Sequence, residues 1–140
     1  MNVVLDTQWM VGFIDGEGCF HVGIKKQKEM DFGFQFIPEF TLVQDKKDIQ
    51  ILYRLKKFFQ CGVVRHFKEN RWCYRIQNQK HLKNILLPFF EKHPLKTKKQ
   101  LDFLKFRTIL LLMDSKKHSK KEGFEKIQKI QKTMRKESIR

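Results

Sequence analysis

The nine residues Met10–Gly18, MVGFIDGEG, constrain this chain more tightly than any other segment. Trp9, Met10, Val11, Phe13 and Ile14 surround a single small residue, Gly12, and run straight into Asp15-Gly16-Glu17-Gly18. Asp6 or Thr7 is suited to N-cap a short helix here, and Gly16 or Gly18 to end it in a left-handed C-cap. Two carboxylates, Asp15 and Glu17, then stand at the negative end of a helix. That placement is unfavourable unless a hard cation, held by carboxylates and backbone carbonyls, offsets it. Gly12 and Gly16 lie four apart on one face, so a second helix can approach backbone to backbone. The segment predicts a packed helix pair ending in a cation site.

The strands are read from alternation. In Cys19–Lys26, Phe20, Val22 and Ile24 point one way, and Cys19, His21, Gly23 and Lys25 the other. In Phe32–Gln44, Phe34, Phe36, Phe40 and Leu42 share a face opposite Gln35, Ile37, Glu39 and Thr41. Pro38 argues for an edge or a bulge. Asp45–Gln60 has helical spacing and Cys61-Gly62 ends it. Val63–Lys68 and Arg71–Gln77 form a second hairpin, with Trp72, Tyr74 and Ile76 opposite Cys73, Arg75 and Gln77. Helices follow at Lys80–Glu91, at Lys98–Met113 and, with a narrow apolar stripe, at Glu122–Lys136. The order αββαββα plus a C-terminal helix is an antiparallel α+β domain with helices on one sheet face. The aromatic faces are core. The opposite face carries donors and acceptors, which fits either an ordinary solvated face or one that reads base edges in the DNA major groove.

At Met10–Gly18 the chain resembles the LAGLIDADG homing endonucleases. Their motif reads L-A-G-L-I-D-A-D-G where this chain reads M-V-G-F-I-D-G-E-G. Later blocks match in order and spacing: Phe40–Gln44, Leu55–Gly62, Leu87–Phe90 and Pro94–Lys99. The resemblance covers roughly residues 5–135. It implies the LAGLIDADG fold, with a saddle-shaped antiparallel sheet, in one domain over residues 1–140. The motif helix would span about 7–17 and the C-terminal helix about 122–136.

The resemblance further implies a site-specific double-strand DNA endonuclease of the intron-encoded type. It would use Mg²⁺ or Mn²⁺ at a long pseudo-palindromic site and leave short 3′ overhangs. Glu17 matches the acidic metal ligand, joined by the backbone carbonyl of Gly16. Gln44 matches a polar residue that orients water. Lys98 matches a basic residue near the scissile phosphate, with Lys96 and Lys99 as weaker candidates. Asp15 is either a further carboxylate of the site or a structural hydrogen-bond acceptor at the helix end. Relatives often carry a basic residue where this chain has Asp48; either Lys46 or Lys47 takes its place or the pocket lacks the group.

The DNA-reading residues that the resemblance implies, with the polar sheet face as their setting, are His21, Lys25, Gln27, Gln35, Ile37, Glu39, Thr41, Arg65, Phe67, Cys73, Arg75 and Gln77. One motif per chain implies a homodimer through Trp9, Gly12, Phe13 and Gly16. Two Glu17 carboxylates brought together in this way repel unless cations lie between them. The rivals on the same fold are a maturase, which would bind RNA, and a DNA-binding regulator without catalysis.

Composition agrees with a nucleic-acid partner. The net charge is +15 over 140 residues. Residues 115–140 hold ten Lys/Arg against three Glu, which leaves +8 for residues 1–114, so a basic tail does not account for the charge. Three widely spaced cysteines without a CxxC pair suit a reduced intracellular protein. Cys61, His66, Cys73 and His81 match no standard zinc spacing. No signal peptide or membrane span is read, so the protein is expected not to be secreted or membrane-bound. Lysine outnumbers arginine 23 to 7 and phenylalanine reaches 14, which suits an AT-rich gene and an organelle, chloroplast or mitochondrion.

Overall fold

A computed structural model describes residues 5–116 and 120–138, with side chains as far as Met134. The chain runs α1 (Thr7–Glu17), β1 (Gly18–Lys26), β2 (Phe34–Asp45), a 3-10 turn (Lys46–Asp48), α2 (Ile49–Phe59), β3 (Val63–Lys68) and β4 (Arg71–Ile76). A composite helix, α3, follows over residues 79–92, then α4 (Lys99–Asp114) and α5 (Lys121–Ser138). The order is αββαββ followed by three helices, so one more helix stands between β4 and the C-terminal helix than the expected αββαββα formula counts. The four strands form one antiparallel sheet in the order β1-β2-β4-β3.

The β1–β2 register is unbroken from Gly18↔Leu42 to Lys26↔Phe34. Phe20, Val22, Phe36, Phe40 and Leu42 are buried on the helix side, as the period of two requires. Phe34 and Trp72 are only partly buried at the margin of the same core. Pro38 pairs opposite Val22 without a bulge. β4 pairs with β2 only over Phe40–Asp45, so Pro38 lies where β2 has β1 as its only strand neighbour. There its missing N–H breaks no central ladder.

Phe20 is the aromatic centre of the core. Its ring centroid lies between 5.3 and 5.6 Å from those of Phe40, Phe90, Phe103 and Phe106, so β1, β2, α3 and α4 meet on one side chain. Emptying such a position costs about 3–5 kcal/mol. Among the described residues no helix is long and apolar enough to cross a membrane.

Helix α3 departs from the plain α-helix expected at Lys80–Glu91. Gln79–His81 is α, Leu82–Leu86 is π and Leu87–Lys92 is α again. Pro88 is the physical reason. It has no N–H for the Asn84 carbonyl, and its ring would collide with that carbonyl. One widened turn, in which the Leu87 N–H bonds to Leu82 five residues back, relieves both problems. Helix α5 packs its apolar stripe onto the core. Phe124, Ile127 and Met134 are buried, and Phe124 lies 4.9 Å from Phe32 and 5.1 Å from Phe36.

Candidate functional site

Helix α1 is N-capped by Asp6, whose carboxylate accepts from the Trp9 N–H at 3.0 Å. Its far end corrects the expected left-handed glycine cap. Gly18 is extended (φ −76°, ψ 162°), and its N–H returns to the Ile14 carbonyl while β1 begins at once. The glycine is required by close approach instead. A Cβ at Gly18 would stand 2.8 Å from Ile14 Cγ2 and 2.9 Å from the Ile14 carbonyl oxygen. The abrupt junction leaves Glu17 exposed at the negative end of α1, and Gly16 beside it is exposed as well. Glu17 has no hydrogen bond or ion pair among the described residues.

Asp15 has a different setting. Its carboxylate accepts from the Lys96 N–H at 2.9 Å, the Thr97 N–H at 3.2 Å and the Thr97 hydroxyl. Burial pushes its pKa up. The bonds from Thr97 and Lys96, helped by the Lys99 charge, more than offset this and hold the carboxyl below its ordinary value. The structural-acceptor reading of Asp15 is the one that the structure supports.

The Lys99 ammonium meets the Gly18 carbonyl, a cation at the negative end of α1. Lys98, exposed, immediately precedes α4 and has no side-chain partner among the described residues. An open cleft of about 560 Å³ is lined by Gly16, Gly18 and Cys19 on one side and Thr97, Lys98 and Lys99 on the other. The structure therefore brings Lys98 to Gly16 and to the residues on either side of Glu17.

Gln44 lies at the same end of the sheet, two residues beyond Leu42, the partner of Gly18. It is half-buried opposite Trp72 and is not among the cleft residues. Asp48 is exposed in the 3-10 turn with Lys46 and Lys47, where Asp45 caps the Lys47 N–H at 2.9 Å.

On the sheet face away from the helices, the register aligns Cys19, Thr41, Arg75 and Val63 in one row. It also pairs His21 with Glu39, Gly23 with Ile37, Lys25 with Gln35, and Cys73 with Arg65. His21 Nδ1 stands 3.8 Å from Glu39, too far for a hydrogen bond. His21 Nδ1 and Arg75 Nε are shielded from solvent yet have no hydrogen-bond partner among the described residues. Unsatisfied polar atoms of this kind on a polar sheet suit a surface that a ligand completes.

Gln77 lies just past β4 and reaches Glu39 at 3.5 Å. Gln27 lies in the loop beyond β1 rather than on the strand face and bonds to Glu29, and Cys73 is on the expected face but only 5% exposed. Arg71, not singled out from sequence, stands over the exposed Phe67 ring at 5.4 Å. Alternation carried back from Arg75 through Cys73 would have found it. Thr97 was missed because nothing local marks its bond to Asp15.

The family model described as "LAGLIDADG endonuclease" matches residues 10–110. The chain belongs to this family. A Schizosaccharomyces pombe protein named "Probable intron-encoded endonuclease Cox1-I1b" is 35% identical over 128 residues, 89% of this chain and 31% of that one. The solved structure of the homing endonuclease I-TnaI is 51% identical and superposes with a TM-score of 0.89, over 92% of this chain and 87% of that one. I-SmaMI bound to its uncleaved DNA target in the presence of calcium ions is 37% identical with a TM-score of 0.91, over 94% of this chain and 45% of that one. The chain spans about a quarter to a third of the first curated relatives it matches.

In this LAGLIDADG chain the outer face of α1 is bare. Trp9 is 52% exposed and stacks on Phe13 at 5.2 Å. A Cβ at Gly12 or Gly16 would meet nothing within 4 Å. The close helix approach expected at these glycines is not made by any described part of the chain.

Proposed function

We propose that this chain acts as a homodimeric, site-specific DNA endonuclease that uses a divalent ion, Mg²⁺ or Mn²⁺, and is encoded by an organellar intron. The observation that carries the proposal is the unpaired Glu17 at the end of α1. Its chain neighbours share one cleft with Lys98, beside a polar sheet face. The donor set fits a hard ion. Mg²⁺ takes one or two carboxylates with waters and substrate oxygens, and Glu17 with the Gly16 carbonyl offers half of such a set. Among the described residues no cluster of three His, Cys, Asp or Glu side chains is suited to hold an ion in a single chain. Two chains joined through Trp9, Gly12, Phe13 and Gly16 would juxtapose two Glu17 carboxylates, a pair that disfavours itself without cations. That I-SmaMI is more than twice the length of the matched segment agrees with two such units acting together.

When bound, the divalent ion supplies water activation and charge neutralisation for phosphodiester hydrolysis. The chain's own residues set the rest. The Lys98 ammonium stabilises negative charge developing on the scissile phosphate. Gln44 orients the attacking water by hydrogen bonding. His21, Lys25, Gln35, Glu39, Thr41, Arg65 and Arg75 contact base edges or phosphates, with Ile37 and Phe67 as apolar contacts. Each chain would read one half of a pseudo-palindromic site, and the staggered cut would leave short 3′ overhangs.

The test is cleavage of a randomised DNA library in Mg²⁺, with EDTA and Glu17→Gln as controls and sequencing of the ends. Discrete cuts in a long two-fold motif, lost in both controls while Glu17→Gln still binds DNA, are expected. Persistent cleavage by Glu17→Gln refutes the ligand assignment. No cleavage by the wild type, with retained binding, moves the reading to a maturase if RNA is preferred and to a regulator if DNA is.

A further inference from the structure

A carboxylate at position 15 is misplaced for α1, yet it is well placed for α4. The negative end of α1 faces the positive end of the 16-residue α4. Lys98, the residue at the N-cap position of α4, gives no side-chain cap. Asp15 performs that office from across the chain, taking the Lys96 and Thr97 N–H groups and the Thr97 hydroxyl. Thr97 Oγ1 in turn accepts from the Lys99 N–H at 3.2 Å, which continues the cap into the first turn of α4. Both Asp15 oxygens accept hydrogen bonds within this cap. A second tie, from the Lys99 ammonium to the Gly18 carbonyl, fastens the same two elements. The residue that these ties bracket is Lys98.

We infer that Asp15 is a positioning residue: by holding the Lys96–Lys98 turn against the end of α1, it sets Lys98 relative to Glu17 and the Gly16 carbonyl. This rests on the reading of Lys98 given above. The covalent path from Asp15 to Thr97 is 82 residues long, so the local hydrogen bonds, not the chain, fix the spacing. Displacing a charge by about an ångström can lower a catalysed rate on the order of a hundredfold.

The test compares single-turnover cleavage in Mg²⁺ with DNA affinity measured without divalent ion, and records melting temperatures. The variants are Asp15→Asn, Thr97→Ala, Thr97→Ser and Lys98→Met, singly, with the first two also combined with Lys98→Met. Asp15→Asn and Thr97→Ala are expected to slow cleavage about ten- to a hundredfold with little change in affinity. Thr97→Ser, which keeps the hydroxyl, retains the wild-type rate.

In the Lys98→Met background, Asp15→Asn and Thr97→Ala cause no further loss, because the group being positioned is gone. Losses that multiply with Lys98→Met, or an Asp15→Asn enzyme at full rate, overturn the inference and leave the Lys98 reading standing. A full-rate Lys98→Met enzyme overturns both. Should Asp15→Asn fail to fold, the contrast between Thr97→Ala and Thr97→Ser decides.

Discussion

The Gln131 side-chain amide donates a 2.9 Å hydrogen bond to the Val22 carbonyl, joining α5 to β1 across 109 residues of sequence. Val22 lies on the edge strand β1, so the helix rather than a further strand supplies a donor to its carbonyl. Gln131 is 5% exposed within an otherwise apolar stripe. Replacing it with leucine leaves a buried carbonyl without its donor, a loss of about 1–3 kcal/mol. Chemical denaturation of Gln131→Leu should show that loss, with cleavage per folded molecule unchanged. An equally stable variant would mean that α5 is held by Phe124, Ile127 and Met134 alone.

Arg75 is expected to specify bases. Its row on the sheet also contains Thr41, and its Nε is shielded but has no partner among the described residues. A bidentate contact to a base edge is worth about 1–3 kcal/mol of discrimination. Arg75→Ala should therefore weaken binding to the cognate site and relax preference at one or two adjacent positions in each half-site. Binding measured across single-base variants tests this. A uniform loss over all sequences would instead make Arg75 a phosphate contact.

Much of this arrangement is legible in the sequence, for a definite reason. A strand buries one face, so a slip of one residue would expose Phe20, Phe36 and Phe40 together, and alternation alone settles which side chains face outward. The parts that escape reading depend on distant partners. Nothing near Asp15 announces Thr97, and nothing near Gln131 announces Val22. At Gly18 the local preference for a left-handed glycine yields to the close approach of Ile14. Cys73 lies on the predicted face, yet its burial is decided by strands on both sides. Pro88 marks a break in the sequence, but relief through a π turn emerges only when the helix is packed.

Tyr74 sets an alkaline limit on stability. It is fully buried, and its hydroxyl donates to the Cys61 carbonyl at 2.8 Å. Burial, with Cys61 adding to it, pushes the phenol far above its ordinary value. The fold therefore favours the neutral form. Its contribution is complete below the unfolded pKa of about 10 and is lost as pH rises above it, because the unfolded chain ionises while the native chain does not. Urea midpoints should fall between about pH 9 and pH 11, and less steeply in Tyr74→Phe than in the wild type. Equal slopes in the two proteins would show that Tyr74 ionises without unfolding.

For the proposed dimer, Gly12 is the position at which folding and assembly can be separated. It lies inside α1 on the exposed face with Trp9, and a Cβ there meets no atom of the described residues within 4 Å. Within one chain, Gly12→Leu removes a poor helix former and should add up to about 1 kcal/mol of stability. Between two chains, the same side chain would hold the paired helices apart, since close backbone approach needs a small residue at the crossing. Gly12→Leu should thus melt no lower than the wild type as an isolated chain, sediment as a monomer, and fail to make double-strand cuts. Sedimentation velocity on both proteins, with and without duplex DNA, checks the assembly. A Gly12→Leu protein that remains dimeric and cleaves at the wild-type rate would place the subunit contact elsewhere and remove the reason for pairing two Glu17 carboxylates.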